Sequence, residues 1–174
     1  MGDFAPPPYA TACMGTGMDY ATATAWAEKW QGKRIGVIGD LMLDRYVWGA
    51  ASRISQEAPI PVVEVRQTTA RPGGAANVLH NIVTLGASAM AFGVLGVDPA
   101  AETLRTLLGE LTVDTRGVLS DRTRVTTEKT RIVANTQQIV RVDTERRELL
   151  GPEIEAALIG ALRDAFASDG LDAL

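Results

Sequence analysis

Arg34-Ile35-Gly36-Val37-Ile38-Gly39-Asp40 is a short apolar run that ends in a turn carrying a carboxylate. It reads as a buried strand of a parallel sheet with Asp40 at its carboxyl tip. Downstream lies Pro72-Gly73-Gly74-Ala75-Ala76-Asn77, which runs into an amphipathic stretch ending at Leu85-Gly86. The two glycines let backbone approach a ligand closely, and the Asn offers a donor and an acceptor at the mouth of a helix. In open α/β sheets, ligands lie outside the carboxyl ends of the strands. A strand-tip carboxylate with a Gly-Gly-Asn element nearby therefore suits a polyhydroxylated ligand.

Outward from these two stretches the chain alternates strand and helix signals. Residues 1 to about 20, rich in Pro, Gly, Ala and Thr, are expected to form a disordered leader. A short helix over 19–30 places Trp26 and Trp30 one turn apart, packed on the first strand. Segments 44–49 and 61–66 read as short strands interrupted by Pro, and 53–61 as an ordered loop or flap that cannot be helical. Val78, Ile82 and Leu85 recur at helical spacing and Gly86 closes that helix. A buried strand over 89–95 follows. Asp98 then caps a helix with Pro99 at its first position and Leu104, Leu107, Leu108 and Leu111 along one stripe. Residues 124–134 alternate with a mixed polar face, and 139–143 is the hairpin partner across a turn at 135–138. Gly151-Pro152 opens a last helix whose core face is Ile154, Leu158, Ala161, Leu162 and Ala165. Residues 169–174 read as a turn and the first residues of another strand. A last helix with no strand to return to leaves apolar surface uncovered, so the polypeptide is expected to be truncated.

The 174 residues suffice for one domain with a real core. Apolar residues at 46% and charged residues at 22% place it among ordinary globular chains. A formal net charge of -4 with no basic tail argues against nucleic acid or an anionic membrane as partner. No apolar run approaches a membrane span, and the amino terminus is not a secretory signal. Cys13 is the one cysteine, which excludes an internal disulfide and fits a reducing cytoplasm. His80 is the one histidine and has no partner cluster, so no metal site is expected. No P-loop, Gly-x-Gly-x-x-Gly after the first strand, zinc-spaced Cys/His pairs or Gly-x-Ser-x-Gly elbow occurs.

Gly39-Asp40-Leu41-Met42-Leu43-Asp44-Arg45-Tyr46, Arg53-Ile54-Ser55, Glu57-Ala58-Pro59 and Pro72-Gly73-Gly74-Ala75-Ala76-Asn77 resemble the ribokinase-like (PfkB) sugar kinases. With Lys129-Thr130-Arg131, Gln137-Gln138 and Arg141-Val142-Asp143, they are most similar to the branch that phosphorylates D-glycero-β-D-manno-heptose 7-phosphate. That domain is often the N-terminal half of a bifunctional protein making ADP-heptose for lipopolysaccharide. The resemblance runs from about residue 32 to 174. It implies an α/β ribokinase-like sandwich with a small β-sheet lid near 45–66 and 124–142, a cytoplasmic location, and dimers formed through the lid. It implies transfer of the γ-phosphoryl of ATP, with Mg²⁺, to the anomeric hydroxyl.

Position by position, the resemblance makes Asp40 the acceptor for sugar hydroxyls. Gly73 and Gly74 would present backbone amides, and Asn77 would hydrogen-bond the sugar. Lys129, Arg131, Arg141 and Arg53 are candidates for the substrate's phosphate or the lid. Each has a structural alternative: Asp40 as a turn cap, the diglycine as a tight turn, the cations as solvated strand charges. The family's late Gly-Ala-Gly-Asp element, which supplies the base and anion hole, and its Asn-x-x-Glu element for Mg²⁺ and nucleotide have no match here, so no catalytic residue is assigned. Smaller departures are Gln56, Ala101 and Thr112. Thr112 stands where a turn favours positive φ. Two further readings remain open: a non-catalytic sugar-phosphate-binding or dimerisation module, and a PfkB kinase for another phosphosugar.

Overall fold

The chain changes sheets at Gly39-Asp40. The computed structural model describes residues 19–174. Of the expected leader, only Asp19 and Tyr20 fall within the described residues, where Asp19 caps the first helix by accepting from Thr22 N–H at 2.7 Å.

The elements in order are α1 (Tyr20–Trp30), β1 (Arg34–Ile38), β2 (Leu41–Ile54), β3 (Pro61–Gly74), α2 (Ala75–Thr84), β4 (Ser88–Leu95), α3 (Pro99–Glu110), β5 (Asp114–Ser120), β6 (Thr127–Ala134), β7 (Gln137–Thr144) and α4 (Pro152–Asp164). A parallel sheet runs β1-β4-β5, and a second, mixed sheet runs β3-β2-β6-β7. In the second sheet β2 and β6 are parallel, whereas β2/β3 and β6/β7 are antiparallel. The expected α/β architecture is present.

Strand β4 is central because it is apolar on both faces. Ala89, Ala91 and Leu95 pack toward α2 and α3 with Leu79, Leu104 and Leu108, and the second sheet contributes Leu41 and Leu43 to that cluster. On the other face Met90 and Phe92 meet Leu158 and Ala165. Helix α4 carries the expected stripe and continues as one π-helical turn, Ala165–Asp169. Beyond Gly170, at φ +61°, Ala173 pairs with Ile35 along β1, so these residues do form the expected strand start.

Four expectations change. Strands β2 and β3 are 14 residues each, not short. Pro61 and Pro72 are accommodated because β3 is an edge strand. On α2 the buried face is Ala76, Leu79 and Ile82, while Val78 and Leu85 are exposed. The helix starts so close to the β1–β2 turn that a small residue must lead: a Cβ on Gly39 would sit 3.2 Å from that of Ala75. Trp30 packs against the core, but Trp26 is exposed beneath Lys29, whose ammonium lies 4.9 Å from its ring. Strand β5 carries no apolar alternation and was invisible in sequence. It exists because Gly117 lets it pass the Phe92 ring.

A polar pin ties β4 to β6. The Asp98 carboxylate accepts from Ala101 N–H at 2.9 Å and from Thr126 N–H at 2.7 Å. Buried Thr126 in turn accepts Gly96 N–H through Oγ1 at 2.9 Å. Burial raises the Asp98 carboxyl, but the donors from Thr126 and Ala101 outweigh it and hold it below the usual range. Removing both bonds in Asp98→Ala costs about 2 kcal/mol in urea denaturation at neutral pH. The folded form prefers the ionised carboxylate, so the stabilisation is present above the ordinary aspartate pKa. It is lost as pH falls through the lowered folded value. The gap between wild type and variant therefore narrows in acid.

Thr112 follows α3 at φ +57°, where a β-branched residue is strained. Thr112→Gly relieves that strain against some loss of chain entropy. A net gain of about 0.5–1 kcal/mol is expected in the same measurement.

Candidate functional site

Two cavities lie beside β2. The first, of about 520 Å³, lies outside the carboxyl ends of β1 and β4. Asp40, Met42, Gly93, Arg124, Arg146 and Arg147 are among its lining residues. Sequence reading does not single out these arginines, because they sit in two loops, Arg124 before β6 and Arg146 and Arg147 after β7, with no periodic pattern to mark them. Each is held by near neighbours: Arg124 donates to Glu148 O at 2.7 Å, Arg146 to the Glu148 carboxylate at 3.0 Å and to Thr123 O, and Arg147 to Glu145 at 2.6 Å.

The second cavity, of about 610 Å³, lies at the edge of β3 against α2 and α3. Asp44, Arg71, Gly74, Asn77 and His80 line it. The carboxylate that shares a cavity with the Gly-Gly-x-x-Asn element is thus Asp44, whereas Asp40 lines the first cavity. Asp40 meets the diglycine through its main chain instead. Its carbonyl accepts Ala75 N–H at 3.0 Å and lies 2.5 Å from where a Cβ on Gly74 would stand.

Alternation along β2 explains the placement. Leu41 and Leu43 turn into the core, so Met42, Asp44, Tyr46 and Trp48 take the opposite face. That signal is in the sequence, in Leu-Met-Leu-Asp, just upstream of the strand expected from residue 44; β2 begins at Leu41. Gly73 and Gly74 lie in the β3 ladder opposite Met42 and Leu41, not in a loop. Gly73 makes room for a side chain: a Cβ there would meet the Asp44 carboxylate at 2.7 Å.

Three of the four candidate cations gather on the same sheet face. Arg131 donates to Asp44 at 2.6 Å, and its guanidinium stands 5.2 Å from the Tyr46 ring, which stacks on Trp48 at 5.7 Å. Lys129 lies 3.8 Å from Asp143, and Arg141 donates to the same carboxylate at 2.8 and 2.9 Å. The Arg141 guanidinium holds the Asp143 carboxyl below its usual range. Arg53 does not join them. It sits at the far end of β2 opposite Val62, largely exposed and 3.9 Å from Glu64. Among the described residues no group of three or more His, Cys, Asp or Glu is placed to hold a metal ion, and no helix is long and apolar enough to cross a membrane.

Residues 33–167 match the model of the pfkB family carbohydrate kinases. The chain belongs to the pfkB family of carbohydrate kinases. It is 44% identical over 131 residues to the bifunctional protein HldE of Wolinella succinogenes, covering 75% of this chain and 28% of that protein. Against the protein of the same name from Helicobacter pylori it is 46% identical over 127 residues, covering 73% and 27%. The chain therefore spans under a third of the length of the curated relatives it matches. Among solved structures, Sa239 superposes with a TM-score of 0.59 at 19% identity, covering 79% of this chain and 44% of that one. A sugar kinase structure from Clostridium perfringens gives 0.56 at 13% identity, covering 78% and 40%. At these identities the likeness establishes the ribokinase-like fold.

The two glycines have different neighbours and should respond differently to a methyl group. Gly74, at φ +55°, faces a carbonyl that cannot retreat, so Gly74→Ala is expected to cost about 2 kcal/mol or more. Gly73 faces the tip of the Asp44 side chain, which can give way only by disturbing its bond to Arg131, so Gly73→Ala is expected to cost about 1 kcal/mol, less than Gly74→Ala. Equal losses in chemical denaturation would contradict this account of the turn.

Proposed function

We propose that this chain forms the sugar-phosphate-binding part of a kinase acting on D-glycero-β-D-manno-heptose 7-phosphate at its anomeric hydroxyl, in ADP-heptose synthesis. The observation that carries the reading is the single cavity shared by Asp44, Gly74 and Asn77, bordered by a sheet face rich in cations. The choice of sugar follows the resemblance to the heptose 7-phosphate branch, and the bifunctional relatives named HldE are in keeping with it.

In this reading Asp44 accepts two sugar hydroxyls, and Arg131 fixes the carboxylate so that little ordering remains to be done on binding. Asn77 donates to one hydroxyl and accepts from another. Asp40, in the adjoining cavity, is the second carboxylate within reach of the carboxyl ends of the sheet. The second sheet acts as a lid that excludes water from the sugar, and its exposed edge strand β7 offers a surface through which two subunits pair. The setting is the cytoplasm. The phosphoryl donor is ATP with Mg²⁺. Mg²⁺ is usually held by one or two carboxylates together with substrate phosphates and waters, and no residue of this chain is assigned to it. The two sequence elements that the resemblance connects with nucleotide, Mg²⁺ and the base have no match in this sequence, so the roles given to this chain are those of binding and orientation.

Calorimetry with heptose 7-phosphate tests the proposal. One site per chain is expected. A hydrogen bond to a charged group is worth about 1.5–3 kcal/mol, so Asp44→Ala should weaken binding by roughly 10- to 100-fold. A folded chain that does not bind the sugar phosphate would refute the reading.

A further inference from the structure

We infer that Arg71, which nothing in the family resemblance singled out, is the residue that recognises the substrate's phosphate monoester. This rests on the sugar-phosphate reading above and adds to it the group that tells a phosphorylated sugar from a plain one.

The strand register places Arg71 directly opposite Asp44, on the same face of the second sheet. Across the other edge of β2, Lys129 is the register partner of Asp44, and Arg131 and Arg141 follow one residue pair further along. Four cations thus share this face with two carboxylates, Asp44 and Asp143. The excess is not spread evenly. Asp44 is taken by Arg131 at 2.6 Å, and Asp143 by Arg141 at 2.8 Å with Lys129 at 3.8 Å. Arg71 is left over. It is exposed, it lines the same cavity as Gly74 and Asn77, and no hydrogen bond or ion pair engages its side chain among the described residues. Glu110, the other carboxylate lining that cavity, is not paired with it.

Sugar hydroxyls need acceptors and small donors, which Asp44 and Asn77 supply. They give no reason for an unpaired guanidinium beside them. A guanidinium presents a rigid fork of N–H groups that matches two oxygens of a phosphate at once, and a phosphate monoester carries close to two negative charges at neutral pH. A dianion at this position would neutralise the excess that the sheet face leaves open. Arg71 therefore sets specificity for a phosphosugar, while Asp44 and Asn77 hold its hydroxyls.

The test is titration of the chain with heptose 7-phosphate and with the unphosphorylated heptose. Arg71→Gln is compared with wild type, with Arg71→Lys, and with Arg66→Gln, which removes the same charge from the same strand outside the cavity. Arg71→Gln is expected to lose roughly 10- to 100-fold in affinity for the phosphosugar and to leave the weak affinity for the plain sugar unchanged. Arg71→Lys should restore part of the loss, and Arg66→Gln should change little. Thermal melts check that the exposed substitution leaves the fold intact. Equal binding of the phosphosugar by wild type and Arg71→Gln overturns the role of Arg71 while the sugar-phosphate reading stands. An equal loss in Arg66→Gln overturns it as well, since a general field would then explain the effect. If wild type binds neither sugar, the reading itself fails and the inference with it.

Discussion

The hydrogen bond from Ala75 N–H to the Asp40 carbonyl, at 3.0 Å, is the contact on which the arrangement of the two sheets depends. It joins the turn after β1 to the first residue of α2, so it locks one end of the parallel sheet to the point where the second sheet becomes helix. Leu41 and Gly74 pair immediately beyond it, which makes the β2/β3 ribbon a direct extension of that bond. The closeness is possible because Gly74 has no Cβ to strike the Asp40 carbonyl and adopts a positive φ that other residues rarely tolerate. The diglycine is therefore first a joint and only through that a wall of the cavity.

A joint at one corner would leave the second sheet free to swing about it. The Gly96-Asp98-Thr126 pin provides a second attachment where the chain passes from β5 toward β6. A further tie lies on the core side of the second sheet, where Arg45 donates to both oxygens of Glu128 at 2.7 and 3.1 Å across β2 and β6. That pair is mostly buried, and the Arg45 guanidinium holds the Glu128 carboxyl below its usual range. Such a pair offers little net stability over an apolar substitute, but breaking one half leaves a charge without its partner. Its consequence here is directional: it fixes the register of two parallel strands, and with it the alignment of Asp44 beside Lys129 and Tyr46 beside Arg131.

Much of this was legible in the residues, and the failures have physical causes. The parallel strands at 34–38 and 88–95, the Asp98 cap and the leucine stripe of α3 follow from local rules, because each depends on neighbours within about one helical turn or one strand. The sequence reading pairs the Gly-Gly-x-x-Asn element with Asp40, whereas the cavity that Gly74 and Asn77 line contains Asp44. Choosing between Asp40 and Asp44 depends on which face of β2 enters the core, and that is decided by packing against α2 and α3, far away in sequence. Arg53 and Lys129 looked equivalent as cations near strands. Only the long, 14-residue β2 shows that Arg53 stands at the opposite end of the ribbon. Strand β5 had no sequence signal because its support comes from Phe92 on the neighbouring strand and from a glycine that clears it.

The same reasoning explains why a sugar site would tolerate an ion pair at its centre. A carboxylate about four-fifths buried, as that of Asp44 is, carries a desolvation cost unless a donor satisfies it. Arg131 supplies that donor on Oδ1 and is itself steadied over the Tyr46 ring. A carboxylate oxygen accepts more than one hydrogen bond, so satisfaction by Arg131 does not use up the group. It leaves Oδ2 without a partner of its own among the described residues, beside Gly73. Replacing Arg131 would free Asp44 to turn toward Arg71, its direct register partner on β3, and the two would then neutralise each other. The arginine on β6 thus holds the carboxylate on one side of β2 while Arg71, on the other, stays without a side-chain partner among the described residues.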